Sequence, residues 1–119
     1  MFFCNSFLSC LKPKASMSRI DKLVAFLQEN PTDSFLQHAL ALEYQKIGDL
    51  SKARTLFEKL LAENPAYVGS YYHLAKLLEA EDLLEEALLV YQKGMEQAQL
   101  QQDSHSYGEL RSAWEELSY

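Results

Sequence analysis

Asn30-Pro31 returns as Asn64-Pro65, 34 residues further along the chain. Leu40-Ala41 returns as Leu74-Ala75 at the same step, and Ala53, Phe57 and Lys59 align with Ala87, Tyr91 and Lys93. One coincident pair means little. An offset shared by this many positions means that one unit of structure is used more than once. The same step taken backwards from Leu61, Glu63 and Asn64 reaches Leu27, Glu29 and Asn30, so the pattern opens on a half unit. A period of this length confines the chain to supersecondary units that bury their apolar faces by stacking.

Each period holds two helical patterns. Within 34–47, Leu36, Leu40, Ala41 and Tyr44 share a face with a spacing of about 3.6 residues. Gly48-Asp49 interrupts it, glycine being suited to a left-handed C-terminal cap. Over 51–63, Ala53, Leu56, Phe57, Leu60 and Leu61 form the next inner face. Asn64-Pro65 stops that helix, because a residue before proline disfavours the helical region. The same logic predicts helices over 67–80 and 84–99. The turn between them is Glu81-Asp82 without glycine, which implies a changed turn or about 1 kcal/mol of strain. The half unit is a helix over 19–29 with Ser18 as N-cap and Asp21 as its capping-box partner.

Gln102–Tyr119 leaves the period. Asp103 or Ser104 can cap a helix there, on which Tyr107, Leu110, Trp114 and Leu117 make one apolar stripe. A stack of helix pairs exposes its last stacking face unless something covers it, and this helix is expected to be that cover.

These residues resemble the tetratricopeptide repeat. Leu40, Ala41, Tyr44, Gly48, Asp49, Ala53, Phe57 and Pro65 carry the resemblance in the first unit, and Tyr71, Leu74, Ala75, Ala87 and Tyr91 in the second. Gln37, Gly94 and Gln99 depart from it, standing where the family favours a large apolar residue, alanine and proline. The lost proline allows the last repeat helix to run long. The resemblance implies an all-α fold, with antiparallel helix pairs stacked as a short right-handed α-solenoid of about six helices. The expected organisation is an extension over 1–16, then a domain over 17–119. That domain comprises a half repeat at 18–31, repeats at 34–65 and 67–99, and a capping helix at 103–118.

The extension, MFFCNSFLSCLKPKAS, holds both cysteines, Cys4 and Cys10. With none elsewhere, the chain is no disulfide scaffold, and a reducing, cytoplasmic compartment is expected. The stretch has no basic residue before its apolar part and is interrupted by Asn5 and Ser6, which argues against an export signal. Two of the chain's 11 basic residues, Lys12 and Lys14, lie in it, so the remainder is more acidic than the net charge of -6 suggests. That balance opposes nucleic acid and anionic membrane surfaces as partners. No apolar run is long enough for a membrane span.

Catalysis is not expected. The glycines are isolated, so no phosphate loop is encoded. Ser34 and Ser51 read as helix-start residues and Ser70 as filler of a tight place. Glu79, Glu81, Asp82, Glu85 and Glu86 read as a solvated face. His38 and His73 fall on the first helices of successive units and are expected to be neighbours on the inner surface, without the further ligands that zinc needs. No cofactor or metal is expected.

Binding remains. The resemblance places the first helix of each pair along a concave groove. Its open side is expected to show Phe35, His38, Leu42 and Gln45, then Tyr72, Lys76 and Glu79. The expected function is a non-enzymatic interaction module that takes a peptide or a partner's helix. Some tetratricopeptide repeats clamp a terminal carboxylate with Lys and Asn. Here His38, Leu42 and His73 stand at the matching places, so that ligand is not expected. Two alternatives are self-association through the end helices and an exported adaptor anchored by lipid at Cys10.

Overall fold

The computed structural model describes residues 18–119; the expectations for the N-terminal extension lie outside the described residues. Six helices make up the described chain: α1 (Arg19–Glu29), α2 (Ser34–Lys46), α3 (Leu50–Glu63), α4 (Gly69–Ala80), α5 (Leu84–Leu100) and α6 (Ser104–Ser118). The fold is all-α, with consecutive helices packed as a short solenoid.

Local chemistry sets the ends. Ser18 accepts from the Asp21 amide while Asp21 bonds back to the Ser18 amide, closing a capping box on α1. Asp33, Asp49 and Asp103 cap α2, α3 and α6 through their carboxylates. Three helices end in the same left-handed turn. Gly48 has φ 85°, Asp82 φ 67° and Gln102 φ 58°. In each, the amide after that residue reaches back to a carbonyl of the last helical turn: Asp49 to Tyr44, Leu83 to Leu78, Asp103 to Ala98. The turn without glycine therefore keeps its length and absorbs the strain at Asp82. The Asn-Pro steps end α1 and α3 without a positive φ. Around Tyr67 and Val68 the chain makes a turn first, so α4 begins at Gly69, two residues later than the periodicity implies.

The repeat's small residues lie at the closest approaches. Ala41, Ala53, Ala75 and Ala87 are fully sealed, and Phe57 and Tyr91 fill the space beside them. Gln37 is buried despite its polarity. Its Nε2 donates to the Pro31 carbonyl at 3.0 Å and to Glu63 Oε1 at 3.3 Å, bracing the α1–α2 turn against the end of α3. Gly94 is required by space. A Cβ there would lie 2.7 Å from Tyr71 Cβ and 3.0 Å from Leu110 Cδ1, so even alanine forces a shift. Without proline at 99, α5 continues through Leu100 and carries α6 back across its own end. Leu110 and Ala113 form the buried seam of α6, with Tyr107, Trp114 and Leu117 half-buried beside it.

The first helices of the pairs converge. The backbones of α2 and α4, and of α4 and α6, approach one another, whereas α3 and α5 meet through long side chains, Arg54 reaching Glu86 at 3.1 Å. The stack therefore closes on one side and splays on the other, which makes α2, α4 and α6 the inner layer. Among the described residues no helix is long and apolar enough to cross a membrane.

Candidate functional site

The inner layer holds a chain of aromatic rings. Tyr67, His38, His73, Tyr72 and Tyr91 follow one another at centroid separations of 5.4, 5.4, 5.8 and 6.3 Å. Phe57 supports it from α3, stacked on His73 at 6.2 Å with planes 7° apart. His38 and Ser70 share a hydrogen bond of 2.7 Å between Nδ1 and Oγ. Ser70 is sealed from solvent, so its hydroxyl joins α2 to α4 and offers no nucleophile. Burial pushes His38 down to about 4, with His73 adding to the effect. His73 is lowered by burial, and the nearby Glu109 carboxylate opposes that shift. Both imidazoles are therefore neutral at pH 7, and they pack as rings rather than as cations. Among the described residues no three His, Cys, Asp or Glu side chains gather to hold a metal.

The sequence-derived groove residues divide into two groups. Tyr72, Lys76 and Glu79 lie together on α4. Lys76 Nζ is 5.7 Å from the Tyr72 ring centroid and 3.7 Å from Glu79 Oε2. The Tyr91 hydroxyl donates to the same Glu79 carboxylate from α5. Burial raises the Tyr91 phenol, and that bond raises it further, so it stays protonated and holds Glu79 at the edge of the groove. On α2, His38 belongs to the ring chain, while Leu42 and Gln45 are partly buried and Leu42 packs on the core. Phe35 is 66% exposed and stands clear of that core.

Sequence reasoning missed the contribution of α6. Read as a cover, it is also the third helix of the inner layer, and an open trough of about 600 Å³ lies between it and α4. Tyr72 forms one wall, and His105, Glu109, Ser112 and Glu116 form the other. A signal was present: α2, α4 and α6 begin at Ser34, Gly69 and Ser104, at a constant step of 35 residues. The step survived in α6 while the Leu-Ala motif did not.

A family model described as tetratricopeptide repeat matches residues 46–107. The solution structure of a tetratricopeptide repeat domain protein from Salinibacter ruber is 39% identical, with a TM-score of 0.71, covering 73% of this chain and 88% of that one. A crystal structure of the tetratricopeptide repeat domain protein from the same organism is 38% identical, with a TM-score of 0.70, covering 72% and 96%. A protein from Bordetella parapertussis shares the fold at 21% identity and a TM-score of 0.74, covering 85% and 88%. Among curated proteins no sequence matches this chain.

Proposed function

Because this chain belongs to the tetratricopeptide repeat family, whose domains generally mediate protein–protein interaction, we propose that it is a non-enzymatic adaptor presenting its inner face to a peptide or helix of a partner protein. The observation that carries the reading is the partly exposed ring chain of Tyr67, His38, His73 and Tyr72 beside the open trough between α4 and α6. Aromatic side chains anchor interfaces because they bury a large area at a small cost in side-chain freedom. Phe35, His38, Leu42, Gln45, Tyr72, Lys76 and Glu79 are the proposed contact residues on α2 and α4. The folded unit is taken as 17–119, and cytoplasmic residence is part of the same proposal, resting on the cysteine usage of the sequence.

The test pairs an inner-face variant with an outer-face variant. Phe35→Ala/Tyr72→Ala alters the inner face, and Leu89→Ser alters an exposed position of α5. A protein captured by the parent is expected to be retained by Leu89→Ser and lost by the double variant. Equal retention by both overturns the groove reading. Light scattering after size exclusion reads the competing outcome. A concentration-dependent dimer abolished by changes in α1 or α6, with capture unaffected by the double variant, establishes self-association through the end helices instead.

A further inference from the structure

Resting on the inner-face reading, we propose that the trough between α4 and α6 takes a basic segment of a partner protein, with a lysine or arginine side chain lying between the Tyr72 ring and the Glu109 and Glu116 carboxylates. The trough has the volume of a site for one or two side chains, at about 600 Å³. It is open at Gly108, where no neighbouring heavy atom lies within 4 Å of the position a Cβ would take. One wall favours cations by its ring. Tyr72 lines the trough, and its ring already takes one cation, the Lys76 ammonium 5.7 Å from its centroid.

The other wall favours cations by charge. Glu109 and Glu116 are seven residues apart on α6, which places them two turns apart on one helix face. Glu116 has no cation within 4.0 Å among the described residues, and Glu109 has only the His105 imidazole, at 3.5 Å. Both carboxylates act on groups of neighbouring helices. The field of Glu109 reaches His73 on α4, and that of Glu116 reaches Tyr91 on α5. Lys76 does not neutralise them, because it is already paired with Glu79 at 3.7 Å. An acidic segment would meet uncompensated carboxylates here. An uncharged one would leave them unmatched.

The experiment uses the full chain and two probes, octapeptides of alternating Ala-Arg and Ala-Glu, followed by amide chemical shifts. The Ala-Arg peptide is expected to shift Tyr72, Gly108 and Ser112, and the Ala-Glu peptide to leave them unmoved. Glu109→Gln/Glu116→Gln is expected to weaken Ala-Arg binding about fivefold, since two exposed charge pairs at about 0.5 kcal/mol each amount to that factor. The control Glu29→Gln/Glu85→Gln removes the same charge from exposed sites elsewhere and is expected to leave affinity within twofold. Equal weakening by both variants reduces the effect to net charge and overturns the proposal. Failure of the Ala-Arg peptide to move the trough amides also overturns it. The inner-face reading still stands in either case if the partner captured by the parent remains sensitive to Phe35→Ala/Tyr72→Ala. Loss of that sensitivity removes both.

Discussion

The second helix pair, with α6 against it, buries more of its apolar side chains than the first pair, with α1 against it. On the second side, Tyr71, Leu74, Ala75, Leu77, Leu78, Ala87, Tyr91 and Ala98 are all buried, and Leu110 closes over Gly94. On the first side, α1 buries only Leu23, and Phe26 remains 55% exposed. The two pairs share their alanines, their Asn-Pro junction and their left-handed turn. The difference comes from the neighbours. α4 packs against α2, α3, α5 and α6, and Gly94 lets α6 close on α5. α1 has α2 alone to pack against. Burial in a linear stack is therefore set by how many neighbours a helix has and how closely they approach, more than by its own composition.

The sharpest way to break this comparison is to truncate matching leucines at the two ends. Leu110→Ala is expected to cost about 3 kcal/mol, because its surroundings cannot relax into the space left behind. Leu23→Ala is expected to cost about 1–2 kcal/mol and to appear as early amide exchange confined to α1. Urea midpoints of the two variants measure the difference, and equal losses would refute it. Trp114, whose Nε1 is buried without a partner, reports which end has opened. Its emission should shift to the red with Leu110→Ala and stay unchanged with Leu23→Ala.

Gly94→Ala tests the close approach itself. Overpacking against Tyr71 and Leu110 is expected to lower stability by about 2 kcal/mol, although alanine is intrinsically the better helix former. Gly108→Ala, made where space is open, is expected to raise stability by about 0.5–1 kcal/mol. Thermal melts of the pair decide the point: a stabilising Gly94→Ala would refute the close approach of α5 to Tyr71 and Leu110.

The junction between the two pairs should yield to acid. His38 falls from 6.5 to about 4 on folding, and His73 is lowered as well. The unfolded chain therefore binds more protons in this window. Stability is complete above about pH 6.5 and declines as the pH falls through 6.5 towards 4. After allowance for the partial solvent access of both rings, the loss is about 2 kcal/mol. Stability against pH for His38→Gln should show a shallower decline. An unchanged slope would remove the histidine pair as its cause.

The smallest effect concerns the repeated turn. Asp82→Gly is expected to add about 0.5 kcal/mol by relieving the left-handed strain, and Gly48→Ala to remove about 1 kcal/mol. A destabilising Asp82→Gly would mean that the Asp82 side chain makes its own contribution at that turn.

Much of the architecture is legible in the sequence. Ala41 with Ala53, and Ala75 with Ala87, mark close crossings because only small side chains let helix axes come that near. His38 and His73 were expected to be neighbours and lie with ring centroids 5.4 Å apart. The groove was harder. Phe35 and Leu42 look alike in helical phase, yet one is exposed and the other packs on the core. Helical phase states which way a residue points on its own helix and says nothing of what lies opposite.

Sequence alone determined the repeat, the helix order and the left-handed turn at Gly48, because these depend on spacing, caps and backbone preference within a few tens of residues. Tertiary structure alone decided the double role of α6. Its stripe of Tyr107, Leu110, Trp114 and Leu117 required a cover, and any apolar surface would have served. The closeness of Gly94 to Tyr71 and Leu110 selected the inner layer, and so left a trough between α4 and α6. That choice rests on contacts between residues far apart in the chain, where shape in three dimensions governs and the order of residues does not.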